Sequence, residues 1–398
     1  MHPTLPASLL ALCLAACTAT MPPTPESQDT APVPAAIRVA TFNASLYDDA
    51  GGLAARLEAG DAGARAVAAV IQSVRPDVLL VNEFDHDPDG RAADLFQRRY
   101  LEVGQDGAQP IAYPHRWFAP VNTGEPSGLD LDGDGRNDGP GDAWGFGRHP
   151  GQYGLLVLSR FPIDAAKART FRHFRWADMP GARVPRAPGA TAPFYPEPVW
   201  RALRLSSKTH ADVPIATPFG VLHLLAAHPT PPVFDGPEDR NGARNHDEVR
   251  LWADYIDPSR AGYLVDDDGV RGGLAADARF VVAGDYNADP RDGNAAQGAI
   301  AQLLDHPRID ARFVPASSGA RAAAARLGGV NADHRGDPAH DTGEFGPRAG
   351  NLRLDYVLPS RGIAVRDGGV YWPAPGEPGH AAAQAASDHR LVWIDIAW

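Results

Sequence analysis

The sequence predicts a mixed α/β fold in which strands predominate and helices lie between some of them. Short apolar runs bounded by turn residues recur from Ile37 to the end, and one stretch between them carries a clear helical period. The 41 Gly and 38 Pro among 398 residues supply many turns and long loops. In chain order, IRVATFN (37–43) reads as a strand. In DAGARAVAAVIQSVRPD (61–77), Val67, Val70, Ile71 and Val74 fall at i, i+3, i+4 and i+7, so a helix is predicted that Pro76 stops. VLLVNEFD (78–85) reads as a buried strand, followed by GLLVLS, ALRLSS, GVLHLLAAH, RFVVAGDYN, RLDYVLP and LVWIDIAW. The length allows one or two domains. No internal repeat is visible, and no linker after residue 37 divides the chain.

Composition narrows the function classes. Hydrophobic residues at 44% and charged residues at 22% describe a globular chain with a large core. The formal net charge of −12 provides no general basic field for a nucleic-acid backbone. A phosphate-bearing substrate must then be held by local groups or by metal.

The first residues, MHPTLPASLLALCLAACTAT, form an apolar run too short to span a bilayer and placed where an export signal belongs. Leu14-Ala15-Ala16-Cys17 resembles a bacterial lipobox, although no Lys or Arg precedes the apolar run. The expectation is a signal peptide over 1–17, a flexible Thr/Pro/Ser/Ala tether over 18–36, and a folded domain over 37–398. The protein would be exported to the periplasm or cell envelope as a monomer anchored through lipidated Cys17. Cys13 and Cys17 are the two cysteines, so the mature domain would contain no disulfide.

Polar residues recur at or just past the C-terminal ends of the predicted strands, or just before the start of the last one. They are Asn43, Glu83, His228, Asp285 with Asn287, Asp355, and Asp388 with His389. Each alone is what a cap or turn would use. Together, carboxylates, amides and imidazoles at strand ends point to a metal-assisted acid-base site at one edge of a sheet assembly.

In these motifs the chain resembles the endonuclease/exonuclease/phosphatase superfamily, which includes DNase I-like nucleases, exonuclease III-like repair enzymes, inositol-polyphosphate phosphatases and sphingomyelinases. TFN (41–43), NEFD around Glu83, GQYGLLVLSRFPI (151–163), LLAAHP around His228, VVAGDYNADP (281–290), RLDYVL (353–358) and SDHRLV (387–392) stand in the family's order. The resemblance implies a four-layer α/β/β/α sandwich of two packed mixed sheets, DNase I-like, with its site at the upper edge. It also implies that Glu83 is the main ligand of Mg²⁺ or Mn²⁺, with Asn43 and Asp388 completing or supporting the shell. His389, oriented by Asp355, would activate water or steady the scissile phosphate. Asp285 would handle a nucleophile or leaving-group proton, and Asn287 would donate to a phosphoryl oxygen. His228 matches a second imidazole of DNase I-like members, and Tyr153 matches a tyrosine whose hydroxyl reaches the phosphate.

Three further stretches are of interest. Arg201 or Arg204 in WRALRLSSK could clamp a phosphate, and RNHDE (244–248) opens a helix whose Arg and His could touch substrate or solvent. GLDLDGDGRNDGPGD (128–142) matches the start of an EF-hand loop, with Asp130, Asp132, Asp134 and Asp138 at ligand positions and Gly135 at the turn. Gly141 stands where that loop uses Glu, with Asp142 adjacent, so structural Ca²⁺ is the expectation for an insertion near the site's entrance.

The resulting expectation is a secreted, Mg²⁺-dependent phosphoesterase acting on a small or lipid phosphoester. A secreted nuclease is the alternative within the enzyme class, and a catalytically silent, calcium-dependent surface binder is the alternative outside it. Nucleic acid is a possible but disfavoured partner.

Overall fold

The computed structural model describes Met1 and residues 35–398, so the expected export segment with Cys13 and Cys17, and nearly all of the tether, lie outside the described residues. Thirteen strands follow in chain order among the described residues: β1 (Ile37–Leu46), β2 (Val78–Phe84), β3 (His115–Phe118), β4 (Leu155–Ser159), β5 (Arg169–Thr170), β6 (Ala211–Thr217) and β7 (Gly220–Ala227). They continue with β8 (Arg279–Asp285), β9 (Gly343–Glu344), β10 (Asn351–Leu352), β11 (Asp355–Pro359), β12 (Ala364–Val370) and β13 (Val392–Ala397).

Eleven of them build two mixed sheets. One has six strands in the order β12-β13-β1-β2-β4-β3, and the other five in the order β11-β8-β7-β6-β5. Only β1–β2 and β7–β8 are parallel pairs; every other ladder is antiparallel. β9 and β10 form a separate short ladder.

The two-residue period of the strands sets the layers. Val39, Val78 and Val157 of the first sheet share one buried cluster with Val213, Leu224 and Val281 of the second. Their neighbours Ala40, Leu79 and Leu156 face outward into a cluster with Val67 and Val70 of the helix Ala62–Val74 and Ala383 of the helix His380–Ala386. On the far side, Leu225, Val282 and Leu358 pack with Trp252 of the helix Arg240–Tyr255. The result is the four-layer α/β/β/α sandwich that the sequence predicts. Each fully buried Val or Leu contributes roughly 1.5–3 kcal/mol, so the three clusters dominate stability.

Local chemistry fixes the helix ends. Asp61 caps the helix Ala62–Val74 by accepting from Ala64 N at 2.7 Å, and Arg75 in the left-handed region (φ 55°) closes it just before Pro76. No helix of the described residues is long and apolar enough to cross a membrane.

The strand predicted over ALRLSS is absent. Its first residue ends the helix Glu197–Ala202, and the alternation of buried Leu203 and Leu205 continues without a ladder. The backbone is satisfied elsewhere: Leu205 N donates to Phe174 O, and Leu205 O accepts from Arg244 Nε. Conversely, β6 escapes a pattern reading because Pro214 interrupts it. Proline is tolerated there because β5 pairs only with Ala211 and Asp212, leaving the remainder of that side of β6 outside the β5 ladder.

Candidate active site

Topology brings the functional side chains to one edge. Parallel β1 and β2 carry Asn43 and Glu83 near their C-terminal ends, and of parallel β7 and β8 the first is followed directly by His228 and the second ends on Asp285. Strand β13 runs antiparallel to β1 and pairs Val392 with Thr41, so the SDH residues 387–389 enter at the same edge. Asp355 departs from the expected strand C-terminus: it opens β11, directly opposite Asp285, because β11 runs antiparallel to β8.

Backbone strain helps to aim three of these groups. Glu83, Tyr153 and Asn287 all lie in the left-handed region, with φ of 57°, 57° and 51°. Non-glycine residues there cost of order 1–3 kcal/mol each and gather at functional sites. Next to Asp285, Gly284 has φ 147°, and a Cβ at that position would lie 1.9 Å from Ala227 O. The GD-x-N motif therefore needs glycine so that β8 can approach β7 closely.

The polar groups interlock. Asn43 Nδ2 donates to Glu83 Oε1 at 3.0 Å and to Asp285 Oδ2 at 3.1 Å. His228 Nε2 lies 3.3 Å from Asp285 Oδ2 and 3.9 Å from Glu83 Oε1. His389 bridges two carboxylates: Nδ1 is 2.9 Å from Asp355 Oδ2, and Nε2 is 3.6 Å from Asp285 Oδ2. Thr342 Oγ1 donates to the same Asp355 oxygen at 2.7 Å. Asn287 donates from its backbone to Asp285 Oδ1 at 2.9 Å, while its side-chain amide donates to Pro229 O at 3.1 Å.

Electrostatics follow from this packing. Burial disfavours the charge on His389, but Asp355 and Asp285 more than offset it and push the imidazolium up to about 10. Burial also works against the Asp285 anion, yet His389, His228 and Asn43 hold this carboxyl well below its usual range. Asp355 is pushed up to about 6 by burial, against the pull of His389. Burial and the nearby Tyr47 raise the Tyr153 phenol, which stays protonated.

Ligating atoms of Glu83, His228 and Asp285 lie within 4.8 Å of one another. Two carboxylates with one imidazole suit a divalent cation that favours oxygen, so the donor set fits the expected metal. Asp388 lines the same cleft but is exposed, and it lies outside that group of three.

The cleft has a volume of about 710 Å³ and is lined by Glu83, Tyr153, His228, Asp388 and His389. Its walls come from segments outside the motifs, including Leu131 and Pro140 of the insertion, and Val233 and Phe234. Phe146 and Phe234 line it while 60% and 88% exposed.

Arg201 and Arg204 do not line this cleft. Arg201 sits on an exposed helix paired with Glu197, and Arg204 is bound to Glu125 and Asn122. The cations that do line it are Lys208, Arg240 and Arg244, and sequence reasoning passed over Lys208. The usable signal was β6: because it pairs antiparallel with β7, the residues just before Ala211 must lie beside His228. In RNHDE, Arg244 lines the cleft, whereas His246 turns to Asp247 at 3.0 Å.

In the insertion, Asp130, Asp132 and Asp134 bring carboxylate oxygens within 4.8 Å of one another. Asp138 does not join them; it is exposed and pairs with Arg136 at 2.9 Å. Asp142 is buried and accepts from Leu131 N and Gly139 N, so it shapes the loop itself.

The sequence matches the Endonuclease/Exonuclease/phosphatase family over residues 40–389. No curated protein matches it. Among solved structures, an endonuclease/exonuclease/phosphatase from Beutenbergia cavernae DSM 12333 is 19% identical, aligned over 91% of this chain and 71% of its own, with a TM-score of 0.48. A family protein from Leptotrichia buccalis C-1013-b is 13% identical over 91% of this chain and 100% of its own, with a TM-score of 0.47. Sphingomyelinase C from Streptomyces griseocarneus is 16% identical over 90% of this chain and 99% of its own, with a TM-score of 0.42. With 350 consecutive positions spanned by the family match, from 40 to 389, this chain belongs to the Endonuclease/Exonuclease/phosphatase family.

Proposed function

We propose that the protein is a metal-dependent phosphoesterase that hydrolyses a small or lipid phosphoester. The observation that carries this reading is His389 held between Asp355 and Asp285, in a cleft shared with Glu83 and His228. Glu83, aided by Asn43, Asp285 and Asp388, would hold Mg²⁺ or Mn²⁺, whose charge would offset that developing on the phosphoryl oxygens.

The chain's own groups divide the proton work. His389 keeps both ring protons at neutral pH, so its Nε2–H stabilises a phosphoryl oxygen, while Asp355 fixes the ring. Asp285, held ionised by His389 and His228, orients the attacking water by accepting its hydrogen bond. Tyr153 and the free N–H of Asn287 are the neutral donors toward phosphate. Walls built from the insertion and residues 230–234 enclose the site, and with the net charge of −12 they favour a compact ester over duplex DNA.

Export and anchoring through Cys17 belong to the same proposal, on the N-terminal sequence pattern. So does Ca²⁺ at Asp130, Asp132 and Asp134, on their convergence.

The test follows Mg²⁺-dependent hydrolysis of a chromogenic phosphodiester, a phosphomonoester and plasmid DNA, with Glu83→Ala as control. Ester cleavage lost in the variant, without nicking, supports the reading. Nicking with equal mutant sensitivity would replace it with a nuclease, and no metal-dependent cleavage of any substrate would refute it.

A further inference from the structure

We propose that Lys208 and Arg244 form an anion subsite beside the metal-binding carboxylates that receives phosphoryl oxygens of substrate and product. The inference deepens the phosphoesterase reading and rests on it.

Both cations line the cleft with Glu83, His228 and His389. Lys208 is only 6% exposed, and among the described residues its ammonium has neither a hydrogen-bond acceptor nor an ion-pair partner within reach. A buried cation in that position is costly unless an anion arrives to meet it. The carboxylates that act on it are Glu248, Glu83 and Asp285, and burial outweighs them.

Arg244 is arranged in a complementary way. Its Nε donates to Leu205 O at 2.9 Å, and Nη2 donates to Trp144 O at 2.6 Å and Arg204 O at 2.9 Å. Three neutral carbonyls hold the guanidinium rigid without cancelling its charge, and they leave Nη1 without a partner among the described residues. Arg240, also in the cleft, is by contrast neutralised by Glu238.

One helix organises the pair. Arg244 and Glu248 stand four residues apart on the helix Arg240–Tyr255 and so share a face. Glu248 is fully buried, and its two oxygens accept from Ser207 N and Thr230 N, each at 2.6 Å. A single carboxylate thereby pins the turn that carries Lys208 and the one that follows His228. Glu83 and two cations line the same cleft, and Asp285 acts on Lys208 together with Glu83, so carboxylates and cations meet where a phosphoryl group would sit.

The experiment uses the full-length protein in EDTA, with inorganic phosphate as the probe and chloride at equal ionic strength as control. Phosphate should raise the unfolding midpoint and bind measurably by calorimetry. Lys208→Met and Arg244→Gln should each weaken that binding about tenfold, the loss of one charge-assisted contact. Lys208→Arg should largely retain it. Glu83→Ala, which removes a facing carboxylate, should bind phosphate at least as well as the parent. Absence of phosphate binding, or unchanged affinity in folded Lys208→Met, overturns the proposal; should that variant not fold, Arg244→Gln decides it by the same criterion. Because binding is read without metal or turnover, phosphate binding in EDTA combined with no ester cleavage in the Mg²⁺ assay would refute the phosphoesterase reading and leave the subsite standing.

Discussion

Acidification should destabilise the domain through His210, beneath the turn that carries Lys208. His210 is 1% exposed, with Nδ1 2.7 Å from Ser206 Oγ and Nε2 2.8 Å from Glu248 O. The carbonyl can only accept, so Nε2 carries the proton and Nδ1 accepts from the serine: the ring is built to be neutral. Burial depresses its pKa to about 4 from an unfolded value of 6.5. The unfolded chain therefore takes up the proton first. Stability from this group is complete above about pH 6.5 and drains away as pH falls toward 4. At about 1.36 kcal/mol per unit, the loss by pH ~4.5 is on the order of 2–3 kcal/mol. Urea unfolding near neutrality and near pH 4.5 measures it, comparing the parent with His210→Gln, whose amide can donate to one partner and accept from the other. The parent should lose on the order of 2–3 kcal/mol more than the variant over that interval. Parallel losses would show that His210 is not the titrating group.

Three other predictions concern the site and its frame. His389→Ala should fold with an unchanged circular-dichroism spectrum and lose roughly 10²–10⁴ in kcat, the usual worth of a positioned proton-transferring or charge-stabilising group; near-parental turnover would remove it from the chemistry. Gly284→Ala should destabilise by about 3 kcal/mol or more in denaturant melts, because its methyl would meet Ala227 O; a neutral result would mean that β7 and β8 can separate at that point. Calcium added after chelation should raise the unfolding midpoint by a few degrees in the parent and not in Asp132→Asn; identical melts would reduce the insertion to an acidic loop.

Much of the architecture was legible because strands with a buried face need alternating apolar residues. Val39 against Ala40 and Val281 against Val282 announce two-sided burial directly. The helix Ala62–Val74 was equally plain from its period and from Pro76. ALRLSS misled because alternation reports burial of alternate residues, not the presence of a ladder. Pro214 concealed β6, and with it the position of Lys208. Asp138 fits an EF-hand spacing, yet spacing says nothing of Arg136 two residues away, which takes its carboxylate.

What the sequence alone determined is the inventory: family order, the polar groups near strand ends, and the acidic charge that disfavours a nucleic-acid groove. Tertiary structure decided what those groups do. Which strands are parallel sets which ends share an edge, so Asp355 opposes Asp285 and His389 lies between them. Packing against other elements sets both burial, which works against charge on all three groups, and neighbours, which hold Asp285 as an anion and His389 as a cation while leaving buried Lys208 without a partner among the described residues. Such relations join residues up to 346 positions apart, as with Asn43 and His389 around Asp285. Linear spacing cannot encode them, because the charge state of each group depends on neighbours that only folding supplies.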